Sequence, residues 1–331
     1  GENSVVGLDY KFGTTRFAGD RNLDAVLYAL HSWTEGPGGK EAAYGIDLSY
    51  PNDVWEARLG ARVIGEDFFP ALGFVQRPGT VRYSGAVSWN PRPGTAIRQI
   101  GFGIAPDLFT EMSGRTQTFT LKTDVMQLHL ESGDEAGIVV TPTYENLAED
   151  FEILDGIVIP EDEYRFVRYG AVVETSDRRP LSAAARFEAG KFFDGTRTDL
   201  EFGLAWRPGG WFNASAEYEQ DRLETPFGVP GVDDDGDFTV RIGRLRTEVN
   251  FSPEISWQSL AQFDNVSRIA GVNTRLRWIL QPGQDLFLVF NHNRPFESPP
   301  GNEATPVLDP EERPQAIVTQ GVVKLVYTLR F

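Results

Sequence analysis

The chain has no cysteine in its 331 residues, so neither a disulfide nor a thiolate metal site can contribute to its stability or chemistry. That absence is common in proteins exported through an oxidising periplasm. No run of about 18 apolar residues occurs anywhere, which excludes a membrane-spanning helix. Positive charge is in deficit: 31 lysines and arginines face 48 aspartates and glutamates, for a formal net charge of -17. Nucleic acid, which needs clustered Lys and Arg, is excluded as a partner on that balance. Histidine is confined to His31, His129 and His292, on well-separated segments. His129 and Ser132 stand three apart, which in a strand turns them to opposite faces. Paired carboxylates such as Asp162-Glu163 and Glu311-Glu312 fall in connecting segments and read as solvation. No enzymatic role is expected. The first four residues, GENS, lack the charged and apolar regions of a signal peptide, so if the protein is exported the sequence is expected to be a mature or truncated chain.

Helical spacing is almost absent as well, and period-two alternation takes its place from end to end. In the last segment Val323, Leu325, Tyr327, Leu329 and Phe331 share one face, with Lys324, Thr328 and Arg330 on the other. Leu200, Phe202, Leu204 and Trp206 are opposed by Asp199, Glu201 and Arg207. Leu276, Trp278 and Leu280 are opposed by Asn273, Arg275 and Arg277. Phe212, Ala214, Ala216 and Tyr218 alternate with Asn213, Ser215, Glu217 and Glu219, and Tyr44, Ile46, Leu48 and Tyr50 with Gly45, Asp47 and Ser49. About seventeen such segments are legible, most of them close to the roughly 9–11 residues that a tilted strand needs to cross a bilayer. Strands of soluble sandwiches average about 5–6 residues. A mean hydropathy of -0.30 does not count against a membrane location, because a barrel strand turns only alternate residues to lipid.

Short links at 51–53, 90–94, 207–210, 252–254 and 281–284 alternate with longer, more polar ones at 65–80, 152–163, 221–237 and 291–315. Short periplasmic turns and long outer loops are the asymmetry of an outer-membrane barrel. Aromatic residues gather near segment ends (Trp55, Trp89, Trp206, Trp211, Phe251, Trp257, Trp278 and Phe331), as interfacial girdles require. The fold class is therefore all-β, an antiparallel up-and-down transmembrane β-barrel of about 16–18 strands in a single domain, 1–331. An odd count conflicts with the even strand number of bacterial single-chain barrels, so either one strand is miscounted or strands precede Gly1.

The stretches GEDFFPALGFVQR (65–77), EYRFVRYG (163–170), RLRTEVNFSPEISW (244–257), NTRLRWILQPGQDLFLVFN (273–291) and the closing VKLVYTLRF carry a resemblance across roughly 70–331. They are similar to the uncharacterised outer-membrane proteins that pair a periplasmic, carbohydrate-binding family 9-like domain with a C-terminal barrel. The resemblance implies a Gram-negative outer-membrane location and a chain matching the C-terminal barrel region. Members are longer upstream, which fits the odd strand count. The resemblance implies no substrate and no catalytic residue.

Candidate functional residues follow from the inferred faces. Arg186, Glu188, Asp199, Glu201, Glu217, Glu219, Arg244, Arg246, Glu248, Arg275, Arg277, Lys324 and Arg330 are expected to point into a lumen. There they either set which ions pass or pair across the sheet and keep the interior wet. The apolar run Phe68, Phe69, Pro70, Leu72 and Phe74 within 65–77 is too hydrophobic for an exposed loop, and is expected to form a constriction, a partner contact or a barrel strand. Asp233, Asp235 and Asp237 belong to a dense carboxylate run that reads as a solvated acidic loop tip or, lacking the glycine and distal glutamate of an EF-hand, as a weaker calcium site. Tyr327, Leu329 and Phe331 resemble the terminal signal read by the barrel-assembly machinery. Expected partners are outer-membrane lipid and lipopolysaccharide, that machinery during insertion, and other outer-membrane or periplasmic proteins. Two functions fit: a passive channel or solute transport component, and a structural or anchoring barrel with no open pore.

Overall fold

The computed structural model describes residues 2–34, 39–154, 157–227, 236–295 and 317–328. Among them are nineteen strands and no helix; seventeen strands belong to one antiparallel sheet and the other two pair with each other. The all-β, up-and-down class predicted from the alternation is the observed one.

The chain falls into two compact units. The first comprises Gly1–Glu131, Gly137–Asp150 and Pro160–Tyr169, and the second Ser132–Ala136, Phe151–Ile159 and Gly170–Phe331. In the first, β1 (Asn3–Phe17), β2 (Arg21–Thr34), β3 (Ala42–Pro51), β4 (Trp55–Ile64), β5 (Thr80–Trp89), β6 (Ile97–Glu111) and β7 (Thr116–Leu130) each pair with the next in sequence. β8 (Glu135–Asn146) and β11 (Glu163–Glu174) have residues in both units, and the short β9 (Phe151–Leu154) and β10 (Ile157–Ile159), which pair only with each other, belong to the second. In the second unit β12 (Leu181–Phe192), β13 (Gly195–Gly209), β14 (Phe212–Glu224), β15 (Phe238–Asn250), β16 (Ile255–Asp264), β17 (Ile269–Gln281), β18 (Gln284–Pro295) and β19 (Val318–Tyr327) form the same kind of meander.

The registers keep the two faces apart from strand to strand. Across β4 and β5, Trp55 meets Trp89, Leu59 meets Gly85 and Ala61 meets Tyr83. One residue along, Glu56 meets Ser88, Arg58 meets Ala86 and Arg62 meets Arg82. A slip of one residue would exchange these sets, so the two-sided pattern fixes the register. Tight turns use glycine where the backbone demands it: Gly283, between β17 and β18, has a φ of 89°, a region that side chains with a Cβ enter only at a cost.

The apolar face is not a core. Among the described residues eight hydrophobic side chains are buried, while fifty-one large ones are exposed. Leu8 at 78 %, Leu59 at 59 % and Leu325 at 62 % exposure are typical strand positions on that face. So much exposed apolar surface fits a β-barrel membrane protein.

Link lengths follow the alternation. In the first unit one end carries the short links 18–20, 52–54 and 90–96, and the other carries 35–41 and the fifteen-residue 65–79 beside the short 112–115. In the second unit 175–180, 210–211, 251–254 and 282–283 share one end, opposite 225–237 and 296–317 and two further short turns. At the short-link end of the first unit Trp55, Trp89 and Phe102 stack in a row with centroids 6.2 and 5.6 Å apart, and Phe17 meets Tyr50 edge-on. At the corresponding end of the second unit Trp206 and Trp211 both pack on Phe212.

One feature differs from the reading of the sequence. The 152–163 segment contains the β9–β10 hairpin, where Ile157 and Ile159 are buried, Ile159 almost completely. Of the three readings of 65–77 the strand is not adopted: the stretch leaves β4 through turns and folds over the polar face of its own unit.

Candidate functional site

The polar face of the second unit is built by parity. Even-numbered residues of β12 and odd-numbered residues of β13 and β14 point one way, and the registers then carry the same side onto β15 through β19. Every predicted lumen residue that is described lies on this one face: Arg186, Glu188, Asp199, Glu201, Glu217, Glu219, Arg244, Arg246, Glu248, Arg275, Arg277 and Lys324. Arg330 lies outside the described residues.

Their order along the sheet is informative. Glu188, Asp199 and Asp221 form one cross-strand row, and Arg186, Glu201 and Glu219 the next. Asp199 stands directly opposite Asp221, and Glu201 directly opposite Glu219. Like charges in that position repel, so each pair needs a cation nearby. Arg197 reaches both aspartates, at 2.8 Å from Asp199 and 3.3 Å from Asp221. Arg186 lies 3.5 Å from Glu201, and Arg244 lies 3.3 Å from Glu219 and 3.9 Å from Glu217. All these side chains keep part of their surface in water, so each pair alone contributes at most about 1 kcal/mol. The acidic residues concentrate on β13 and β14, whereas β15 and β17 present Arg246, Arg275 and Arg277. Arg277 pairs with Asp285 at 3.0 Å, and Arg275 donates to the Gln258 side-chain oxygen. A cavity of about 600 Å³ opens beside the acidic rows, walled by Glu174, Asp177, Glu217 and Arg246.

In the first unit the 65–77 loop is tied down by residues distant in sequence. The Phe69 N–H donates to the Ser32 hydroxyl at 3.0 Å, and the Ala71 N–H to the Asn3 side-chain oxygen at 3.1 Å. The Asn3 amide returns a bond to the Phe69 carbonyl at 2.8 Å. These ties bury Phe68 while leaving Leu72 and Phe74 almost wholly exposed, Phe69 half-exposed and Pro70 partly covered. Beneath the loop lies a cavity of about 530 Å³ between Phe68, Pro70 and Phe74 above and Leu30, Arg62 and Phe109 below. Tyr28 lies across Gly45 on its floor, where a Cβ would come within 2.6 Å of the tyrosine oxygen and 2.8 Å of the Ala61 carbonyl. Arg77 and Arg82 hold their guanidinium carbons 4.6 and 5.1 Å from the centre of the Phe109 ring.

Asp237 is the one member of the acidic run that is described, and its carboxylate accepts the Thr225 N–H at 3.0 Å, which closes the base of its loop. Asp233 and Asp235 lie outside the described residues, as do Leu329 and Phe331. Tyr327 sits opposite Gln284 on the apolar side of β19.

Sequence reading passed over the cluster around Asp134, in the turn that follows β7. Its carboxylate takes a bidentate pair from Arg179, one arm at 2.7 Å, together with the Ser176 N–H at 2.9 Å and the Ser132 hydroxyl at 2.8 Å. The Arg179 guanidinium, then the Ser176 and Ser132 donors, hold this carboxyl well below the usual carboxylate range. Forty-five residues separate Asp134 from Arg179, so no local motif announces the pair.

Comparison with known proteins finds no family model that matches the chain and no significant match among curated proteins.

Proposed function

We propose that the chain is an outer-membrane β-barrel protein of a Gram-negative bacterium whose charged face lines an aqueous, passive path for small solutes. The observation that carries this reading is the exposed apolar face, continuous in register along each meander and bordered by tryptophans at the short-link end. Strand length agrees. Ten residues at about 3.4 Å each, tilted by about 45°, rise roughly 24 Å, close to the roughly 25 Å apolar band of such barrels. On the opposite face, ionised groups in cross-strand rows are what a water-filled interior tolerates and a lipid or packed interior does not. The family similarity read from 65–77, 163–170, 244–257 and 273–291 points the same way.

Purified protein reconstituted in planar lipid bilayers should give discrete ion currents. Stable insertion with no current above that of empty bilayers would overturn the channel function and favour an anchoring barrel without a pore.

A further inference from the structure

The cavity under the 65–77 loop combines two properties that no packing requirement explains. Its upper wall ends in Phe74, an aromatic side chain left 88 % exposed although it lines a cavity. Its floor holds Arg62, which stands directly opposite Arg82 across β4 and β5. The other two arginines of the cavity are satisfied. Arg82 makes a bidentate pair with Asp107 at 2.7 and 2.9 Å. Arg77 donates to the Thr118 hydroxyl at 2.8 Å, and Thr118 in turn donates to Glu145. Arg62 is exposed and has neither an ion pair nor a hydrogen bond among the described residues; Arg82 stands directly opposite it, and Asp47 lies diagonally across on the other side. The site therefore presents an exposed guanidinium with no direct partner at the foot of an aromatic and aliphatic wall formed by Phe68, Phe74, Phe109 and Leu30. Its volume lies in the roughly 300–1,000 Å³ range of small-molecule sites.

We infer that this cavity binds a free anionic amphiphile, a carboxylate carried on a single alkyl chain. The carboxylate bridges to Arg62, and the chain lies along Phe68 and Phe74, covering the exposed ring. Such a ligand gives Arg62 a direct charged partner and buries the apolar wall in one step, which a hydrophilic anion or a neutral alkane cannot do. The inference does not depend on ion conduction, because it rests on the geometry of the loop and the strands beneath it.

The test is calorimetric titration of octanoate into the full chain held in zwitterionic lipid nanodiscs, with empty nanodiscs as the blank. Saturable binding is expected, at least about tenfold tighter than for octan-1-ol or acetate. Arg62→Gln, which removes no internal contact, should weaken octanoate by about tenfold or more, since a hydrogen bond to a charged group is lost. Arg58→Gln, four residues away on the same face of β4 and paired with Glu56, should leave binding unchanged. Octanoate binding no better than to empty discs, or binding indifferent to Arg62→Gln, would overturn the inference. So would octan-1-ol binding as well as octanoate. Loss of octanoate binding on doping the discs with phosphatidylglycerol would also overturn it, by making the occupant a lipid headgroup. A protein that binds octanoate and carries no current would retain this site and lose the channel.

Discussion

Arginine is native at positions 244 and 246 of β15, and the residue between them, Leu245, faces the opposite side, where it meets Ala216 and Ala261. Moving the charge by one residue is a sharp test of which side meets lipid. Leu245 lies near the middle of β15 and is 49 % exposed. If that exposure is to the bilayer centre, Leu245→Arg should cost about 2–4 kcal/mol, the range for arginine on the lipid face at the midplane. At about 3 kcal/mol the folded-to-unfolded ratio falls by a factor of roughly a hundred. Position 249 is four residues along, on the same face and opposite Trp257. Four residues at about 3.4 Å, tilted by about 45°, carry it roughly 10 Å toward the interface, where the cost should drop to about 0–1 kcal/mol. Equilibrium urea unfolding from phospholipid vesicles reads both. A penalty equal at positions 245 and 249, or below about 0.5 kcal/mol at 245, would refute the assignment of this face to lipid and with it the outer-membrane reading.

Other consequences follow from single contacts. Asp134 has a folded pKa depressed by Arg179, so its contribution to stability is complete above the ordinary carboxylate pKa of about 4 and is lost as pH falls below it. The urea midpoint of the wild type should therefore drop between about pH 4.5 and pH 3 more steeply than that of Asp134→Asn, and parallel curves would show that the pair is not formed. Arg244→Gln leaves Glu217 and Glu219 without their cation, which should shift the reversal potential in a salt gradient toward cation preference while changing stability by less than about 1 kcal/mol. Ile159→Ala removes an almost fully buried side chain and should cost about 2–4 kcal/mol by urea unfolding, whereas a change under about 0.5 kcal/mol would show that the β9–β10 hairpin is not packed.

The faces were legible in the sequence because a meander repeats one rule. Each strand is long enough for alternation to be read without knowing its partner, as with Leu200, Phe202, Leu204 and Trp206 against Asp199 and Glu201. What depends on register was not legible. That Glu201 faces Glu219, and not the uncharged Tyr218, is set by how the 210–211 turn closes β13 on β14. The apolar character of 65–77 was plain, yet its destination depends on Asn3 and Ser32, dozens of residues upstream. The β9–β10 hairpin was missed because strands of four and three residues are too short to show a period. Asp134 and Arg179 each sit in a short turn and have nothing local to single them out.

The opposed carboxylates of β13 and β14 have a consequence for how such a sheet comes into being. Glu201 and Glu219 face each other on one hairpin, yet the guanidiniums that reach them belong to its neighbours, Arg186 on β12 and Arg244 on β15. The hairpin is thus electrically incomplete by itself, and four consecutive strands are the smallest group in which its glutamates are compensated. We expect this region to join the growing sheet as a quartet, and duplication or deletion of the β13–β14 hairpin alone to leave a charge imbalance that a shift by two hairpins avoids. Strand number in a chain of this kind is then constrained by its interior charges as well as by its turns.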